Sequence, residues 1–89
     1  MKMEYAPKKI DRLSFRKREN KFVVFNGETS IFSVISPDGF YLLNLCDGKM
    51  TVKDMIEEFS KKYKVKNKAK AKDDVLSFLK ELAMRCLIK

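Results

Sequence analysis

The first third of the chain alternates apolar and polar positions with a period of two. In DRLSFRKR, residues 11–18, Leu13 and Phe15 alternate with polar neighbours, as in a half-buried strand. Glu19-Asn20 is a turn signal. KFVVFN, residues 21–26, is a dense β-branched and aromatic run and predicts a second strand. Asn26-Gly27 is a strong hairpin signal, and TSIFSVI, residues 29–35, reads as a third strand. Three consecutive strands with tight turns predict an antiparallel meander.

After residue 36 the period becomes helical. Ser36 is a good N-cap, and Pro37 suits the first helical position, where its missing N–H has no partner to lose. Phe40 and Leu43, with Leu42 or Cys46, recur at helical spacing, and Gly48 can take the left-handed conformation that ends a helix. A helix over residues 37–46 follows. Thr51 caps a second helix, with Asp54 three residues on, a weaker relative of the capping box. Met55, Ile56, Phe59 and Tyr63 give it an apolar stripe. DDVLSFLKELAMRCL carries a third helix. Its strong stripe is Val75, Phe78, Leu79 and Leu82, and a neighbouring stripe is Leu76, Lys80 and Ala83. Asp73 and Asp74 favour a start near residue 70, because carboxylates suit the positive end of the helix dipole. The expected fold is therefore α+β, a three-stranded antiparallel sheet followed by three helices that cover one of its faces.

At 89 residues the chain makes one domain with a modest core. Residues 1–11 carry Pro7 and little periodicity and are expected as a flexible lead-in, leaving 12–89 as the folded unit. No apolar run reaches the roughly 20 residues of a membrane span. The N-terminus MKMEYAPKK lacks the apolar stretch of a signal peptide, so the expected location is cytoplasmic. Cys46 and Cys86 form no CxxC pair and read as two buried free thiols. The absence of histidine removes the commonest general base and metal ligand.

The net charge of +8 raises nucleic acid as a partner, but its location matters more. Lys61, Lys62, Lys64, Lys66, Lys68, Lys70 and Lys72 all fall in KKYKVKNKAKAK, which reads as a solvated connector. The acids are scattered or sit as adjacent pairs, Glu57-Glu58 and Asp73-Asp74, whose side chains diverge by about 100° on a helix. No phosphate loop, metal-ligand spacing or nucleophile–base pair is present. The expectation is a chain that is not an enzyme and needs no cofactor or metal. Two binding surfaces remain. One is the open edge of the third strand, able to accept an added peptide strand or a second copy of the chain. The other is the Leu76, Lys80, Ala83 stripe.

The succession KFVVFNGETSIFSVISPDGFYLLNLCDGKMTVKDMIEEFSKKY, then DDVLSFLKELAMRCLIK, resembles the PqqD family of small peptide-binding proteins, the RiPP recognition elements. The most telling pieces are Leu45-Cys46-Asp47-Gly48, Thr51-Val52 leading into the helix to Tyr63, and Asp74-Val75, Phe78-Leu79, Leu82 and Leu87-Ile88. The likeness covers about residues 12–89. It implies a winged helix-turn-helix-like fold that binds the leader segment of a ribosomally made precursor peptide. The leader adds as a strand to the third strand, lies against the third helix and is presented to a modifying enzyme, often a radical SAM protein. Mapped onto this chain, the resemblance implies a groove of Thr29, Ile31, Phe32, Ser33 and Val34 on the strand, with Asp73, Leu76, Lys80 and Ala83 on the helix. The chain departs from the family's pattern in its lysine-rich link, in Gly39 within the first helix, and in Arg85-Cys86-Leu87, where a glycine commonly ends the third helix.

The alternative function is a winged-helix nucleic-acid binder, supported by the charge and the element order. Against it stand Asp73 and Asp74 at the start of the third helix, since a recognition helix normally offers Arg, Lys, Asn or Gln to base edges.

Overall fold

The computed structural model describes residues 2–89. The strands are β1 (Leu13–Arg18), β2 (Lys21–Asn26) and β3 (Ile31–Ile35); the helices are α1 (Pro37–Leu45), α2 (Val52–Lys62) and α3 (Lys68–Met84). The sheet is antiparallel in the order β1-β2-β3. The fold is the expected α+β, winged helix-turn-helix-like arrangement.

Alternation decides the faces of the sheet. Phe22, Val24, Ser33 and Ile35 point toward the helices, and Phe22 stacks on Phe40 of α1 with ring centroids 3.9 Å apart. Below them Leu42, Leu43, Val52, Met55, Phe59, Val75, Leu79 and Leu82 close the core. The caps form as their side chains dictate. Ser36 Oγ accepts from the Gly39 N–H at 3.2 Å, and Thr51 Oγ1 accepts from the Asp54 N–H at 3.2 Å.

Several local expectations change. β3 begins at Ile31, so Thr29 lies in the turn between the strands. That turn is a four-residue loop, residues 27–30, because Asn26 faces Ile31 across the ladder. Gly27 does not supply a positive φ there. Its place is set by crowding, since a Cβ would lie 2.9 Å from Arg12 Cβ and 3.0 Å from the Arg12 carbonyl oxygen. Gly48 does take a positive φ, +80°, but it lies beyond Cys46, the residue that ends α1.

The lysine run is not one connector. Lys61 and Lys62 lie in the last turn of α2, and Lys68, Lys70 and Lys72 lie in α3. The third helix starts at Lys68 rather than near 70 because the Asn67 side chain accepts from the Ala69 and Lys70 N–H groups. Its first turn has no acid, and Lys68 is paired instead with Glu57 of α2.

The N-terminal segment, expected as a flexible lead-in, is tied down. The carbonyls of Tyr5 and Met3 accept from the Val52 and Lys53 N–H groups at 2.8 and 3.1 Å. These are first-turn donors of α2 that have no partner inside the helix. Pro7 accepts from the Gly48 N–H, Lys8 and Lys9 form bridges to Asp47 and Ile88, and Ile10 is buried. The backbone groups left over by the helix ends and the C-terminal tail recruit a segment whose own sequence has no period.

The two thiols part company. Cys46 is fully buried and donates to the Leu42 carbonyl at 3.2 Å. Burial, with Asp47 nearby, pushes it up from 9.0 to about 12. Cys86 was expected to be buried and is exposed. It follows Arg85, the C-cap of α3, with φ +59°, where a Schellman motif closes the helix. The Leu87 N–H donates to the Leu82 carbonyl at 2.9 Å and the Cys86 N–H to the Ala83 carbonyl at 3.0 Å. Leu82 and Leu87 are both buried, supplying the apolar contact of that motif.

Two outcomes follow. A non-glycine residue in the left-handed region costs roughly 1–2 kcal/mol. Cys86→Gly therefore stabilises the fold by about 1 kcal/mol, seen as a melting temperature about 4–8 °C higher. The Cys46 thiol sets an alkaline limit. Its folded pKa lies above the unfolded one, so its contribution is complete below pH 9. Above pH 9 the unfolded thiol ionises first, and stability falls toward pH 12 with a slope approaching about 1.4 kcal/mol per pH unit. Cys46→Ala removes that slope in urea titrations between pH 8 and 11.

Candidate functional site

β3 is an edge strand, and the register fixes which of its backbone groups are free. The Gly27 N–H donates to the Arg12 carbonyl at 2.7 Å, which makes Leu13–Asn26 a pair without mutual hydrogen bonds. Asn26 therefore turns its own N–H and C=O toward β3. Ile31, Ser33 and Ile35 in turn direct theirs toward β2. The N–H and C=O groups of Phe32 and Val34 point out of the sheet. They have no partner among the described residues.

α3 is held beside this edge at two points. At one end the Asn26 Nδ2 group donates to the Cys86 carbonyl at 3.0 Å, next to Ile31. At the other end Gly39 of α1 lies between Ile35 and Phe78. A Cβ on Gly39 would sit 3.6 Å from Phe78 Cδ1 and 4.0 Å from Ile35 Cβ. The end of α3 from Phe78 to Met84, with Arg85 and Cys86 after it, thus runs antiparallel to β3. Between the two anchors few contacts join β3 to α3, and we take the space between them as the candidate groove.

Asn26 is the more demanding anchor. It is 2% exposed, and its Oδ1 accepts from the Glu28 and Thr29 N–H groups at 2.8 and 3.1 Å. One side chain thus folds the β2–β3 turn and ties it to the end of α3.

The strand wall carries Ile31, 59% exposed, and the buried Ser33. Phe32 and Val34 meet the groove through their backbone, and their side chains project from the opposite face. The helix wall begins at Phe78. Residues three and seven positions on share its face, so the exposed Glu81 and Arg85 continue the wall. Arg85 Nη2 lies 3.0 Å from Glu81 Oε1. Leu76 and Lys80 are two residues from Phe78, about 200° around the helix, and Ala83 and Asp73 are five away, about 140°. All four therefore lie on the flank of α3 opposite Phe78. Leu76 packs against the core there, while Asp73, Lys80 and Ala83 are exposed. Of the residues mapped from sequence, Ile31, Phe32, Ser33 and Val34 lie on β3, Thr29 in the turn before it, and Asp73, Leu76, Lys80 and Ala83 on the flank of α3 opposite Phe78. Sequence reasoning assigned Phe78 to the core and passed over Asn26, Glu81 and Arg85. The usable signal was Phe78 itself, at the margin of the apolar stripe.

The comparisons identify the fold and the family. The family model described as Coenzyme PQQ synthesis protein D (PqqD) matches residues 21–88. The chain belongs to the PqqD family. Among solved structures it is similar to TbiB1 in complex with the TbiA(beta) leader peptide, with a TM-score of 0.74 at 17% identity, covering 92% of this chain and 94% of that one. A search of curated proteins finds no match. Among the described residues no three Cys, Asp or Glu side chains converge as a metal site would need, and no helix is long and apolar enough to cross a membrane.

Asn26→Ala removes the tie to Cys86 and leaves two turn N–H groups and a carbonyl to find other partners. Each buried group left unpaired costs about 1–3 kcal/mol, so urea unfolding is expected to show a loss of at least about 2 kcal/mol.

Proposed function

We propose that this PqqD-family chain binds the leader segment of a ribosomally synthesised precursor peptide by strand addition to β3. It presents that peptide to a modifying enzyme, for which a radical SAM protein is our reading. The observation that carries this is the alternation on β3. Two outward N–H groups and two outward C=O groups, on Phe32 and Val34, border a groove walled by Ile31 and Phe78. An added strand satisfies those four groups. Its alternate side chains enter the groove and meet Ile31, Phe78 and the Glu81–Arg85 pair. Family membership and the leader-bound TbiB1 neighbour support the same reading. The role is recognition rather than catalysis. A net charge of +8 favours an acidic leader through steering of the encounter. A carboxylate of such a leader can compete with Glu81 for Arg85.

Val34→Pro tests this directly. Proline is tolerated on an edge strand where its N–H would face outward, so the fold is kept while one edge donor is lost. With the leader of a precursor encoded beside this chain, we expect about tenfold weaker binding, or about 1.4 kcal/mol, and a melting temperature close to wild type. Phe78→Ser also weakens binding, whereas Lys80→Ala leaves it unchanged. Equal affinity in wild type and a folded Val34→Pro variant contradicts strand addition. Binding to duplex DNA that falls steeply with salt and differs between sequences favours the nucleic-acid reading instead.

A further inference from the structure

Among the described residues no element covers the face of the sheet turned away from the helices. Ser14, Arg16 and Arg18 of β1, Lys21, Val23 and Phe25 of β2, and Phe32 and Val34 of β3 project from it. Phe25 packs on Phe32 with ring centroids 4.7 Å apart, and Val23 faces Val34 across the strands. Phe32 and Val34 remain 67% and 52% exposed. Charge is arranged with equal order. Arg16, Arg18 and Lys21 line the β1 side, none of them has an ion-pair partner among the described residues, and no carboxylate occupies an outward strand position. A shallow depression of about 540 Å³ runs between the two halves, lined by Arg16, Arg18, Val23, Phe25 and Phe32.

We propose that this outward face docks a folded protein partner, the enzyme that modifies the bound peptide, through an apolar patch bordered by carboxylates. The inference rests on the leader-binding reading above.

Three observations select this occupant. The apolar row on β2 and β3 matches the apolar centre of a protein interface, and the arginine row matches a rim that needs acidic partners. A second copy of the chain fits poorly, because this face carries cations and no outward carboxylate to answer them. A stacking platform for single-stranded nucleic acid needs aromatic faces free for bases. Here Phe25 and Phe32 tilt against each other at 46°, and the rest of the row is valine. The face is also continuous with the groove edge. A strand added to β3 lengthens the same sheet, so every second side chain of the leader joins the outward face beside Phe32 and Val34. The enzyme would then touch the carrier and its cargo together, and the loaded carrier would dock more tightly than the empty one.

The test uses the full chain, the leader and the modifying enzyme encoded beside it. Two variants are made, Arg16→Glu with Arg18→Glu, and Val23→Ser with Val34→Ser. Circular dichroism and melting verify that each is folded. Leader affinity is expected to stay within about twofold of wild type in the arginine variant, while affinity for the enzyme falls tenfold or more. The valine variant weakens enzyme docking in the same direction. Wild-type enzyme affinity should rise severalfold when leader is present. Unchanged enzyme affinity in both folded variants overturns the proposal. So does binding of a single-stranded RNA oligonucleotide that the arginine variant abolishes while enzyme docking persists. A leader that fails to bind even the wild type refutes the groove reading separately, because it is read in a different arm.

Discussion

One buried amide, that of Asn26, sets the relation between the two halves of this small fold. Its oxygen holds the turn that brings β3 back along β2, and its nitrogen reaches the carbonyl of Cys86 at the end of α3. Few other contacts join β3 to α3. A short apolar core does not dictate how far an edge strand stands from the nearest helix. A hydrogen bond of defined length at one end, and Gly39 seated between Ile35 and Phe78 at the other, do. The gap between them stays open because its two ends are fixed.

An open edge is a hazard for most sheets, since it invites unplanned pairing. In the proposed reading the hazard and the function are the same feature. β3 is short, and only Phe32 and Val34 offer outward groups. α3 stands alongside as a wall, so an incoming strand must satisfy both a hydrogen-bonding register and the shape of the helix. The strand supplies geometry that any peptide backbone can match, and in the proposed reading the side chains of Ile31, Phe78 and Arg85 supply the selection among peptides.

Much of the architecture was legible in the sequence because short-range chemistry determines it. The period-two runs became the three strands, and Ser36 and Thr51 cap the helices they were expected to cap. What was not legible depends on distant partners. The lead-in has no period, yet the free donors of α2 and the carbonyls of the C-terminal tail bind it. Asn26-Gly27 signalled the hairpin, but not that the Asn26 side chain wraps a four-residue turn. The exposure of Cys86 follows from the positive φ of the helix-ending motif, which a hydrophobicity pattern does not register. Which flank of α3 abuts the sheet edge was not legible, because periodicity identifies the stripes of a helix but not their neighbours. Leu76 and Phe78 both pack against the core from opposite flanks of α3, and Phe78 is the one that lies beside Gly39 and Ile35.

The central claim is that a leader peptide pairs with the outward groups of β3, and amide hydrogen exchange along Ile31–Ile35 tests it most directly. In the free protein the account predicts an alternation, with slow exchange at Ser33 and Ile35, whose N–H groups face β2, and fast exchange at Phe32 and Val34. Saturating leader should slow Phe32 and Val34 strongly and leave their neighbours little changed. Tight leader binding with Phe32 and Val34 still exchanging freely would contradict the account.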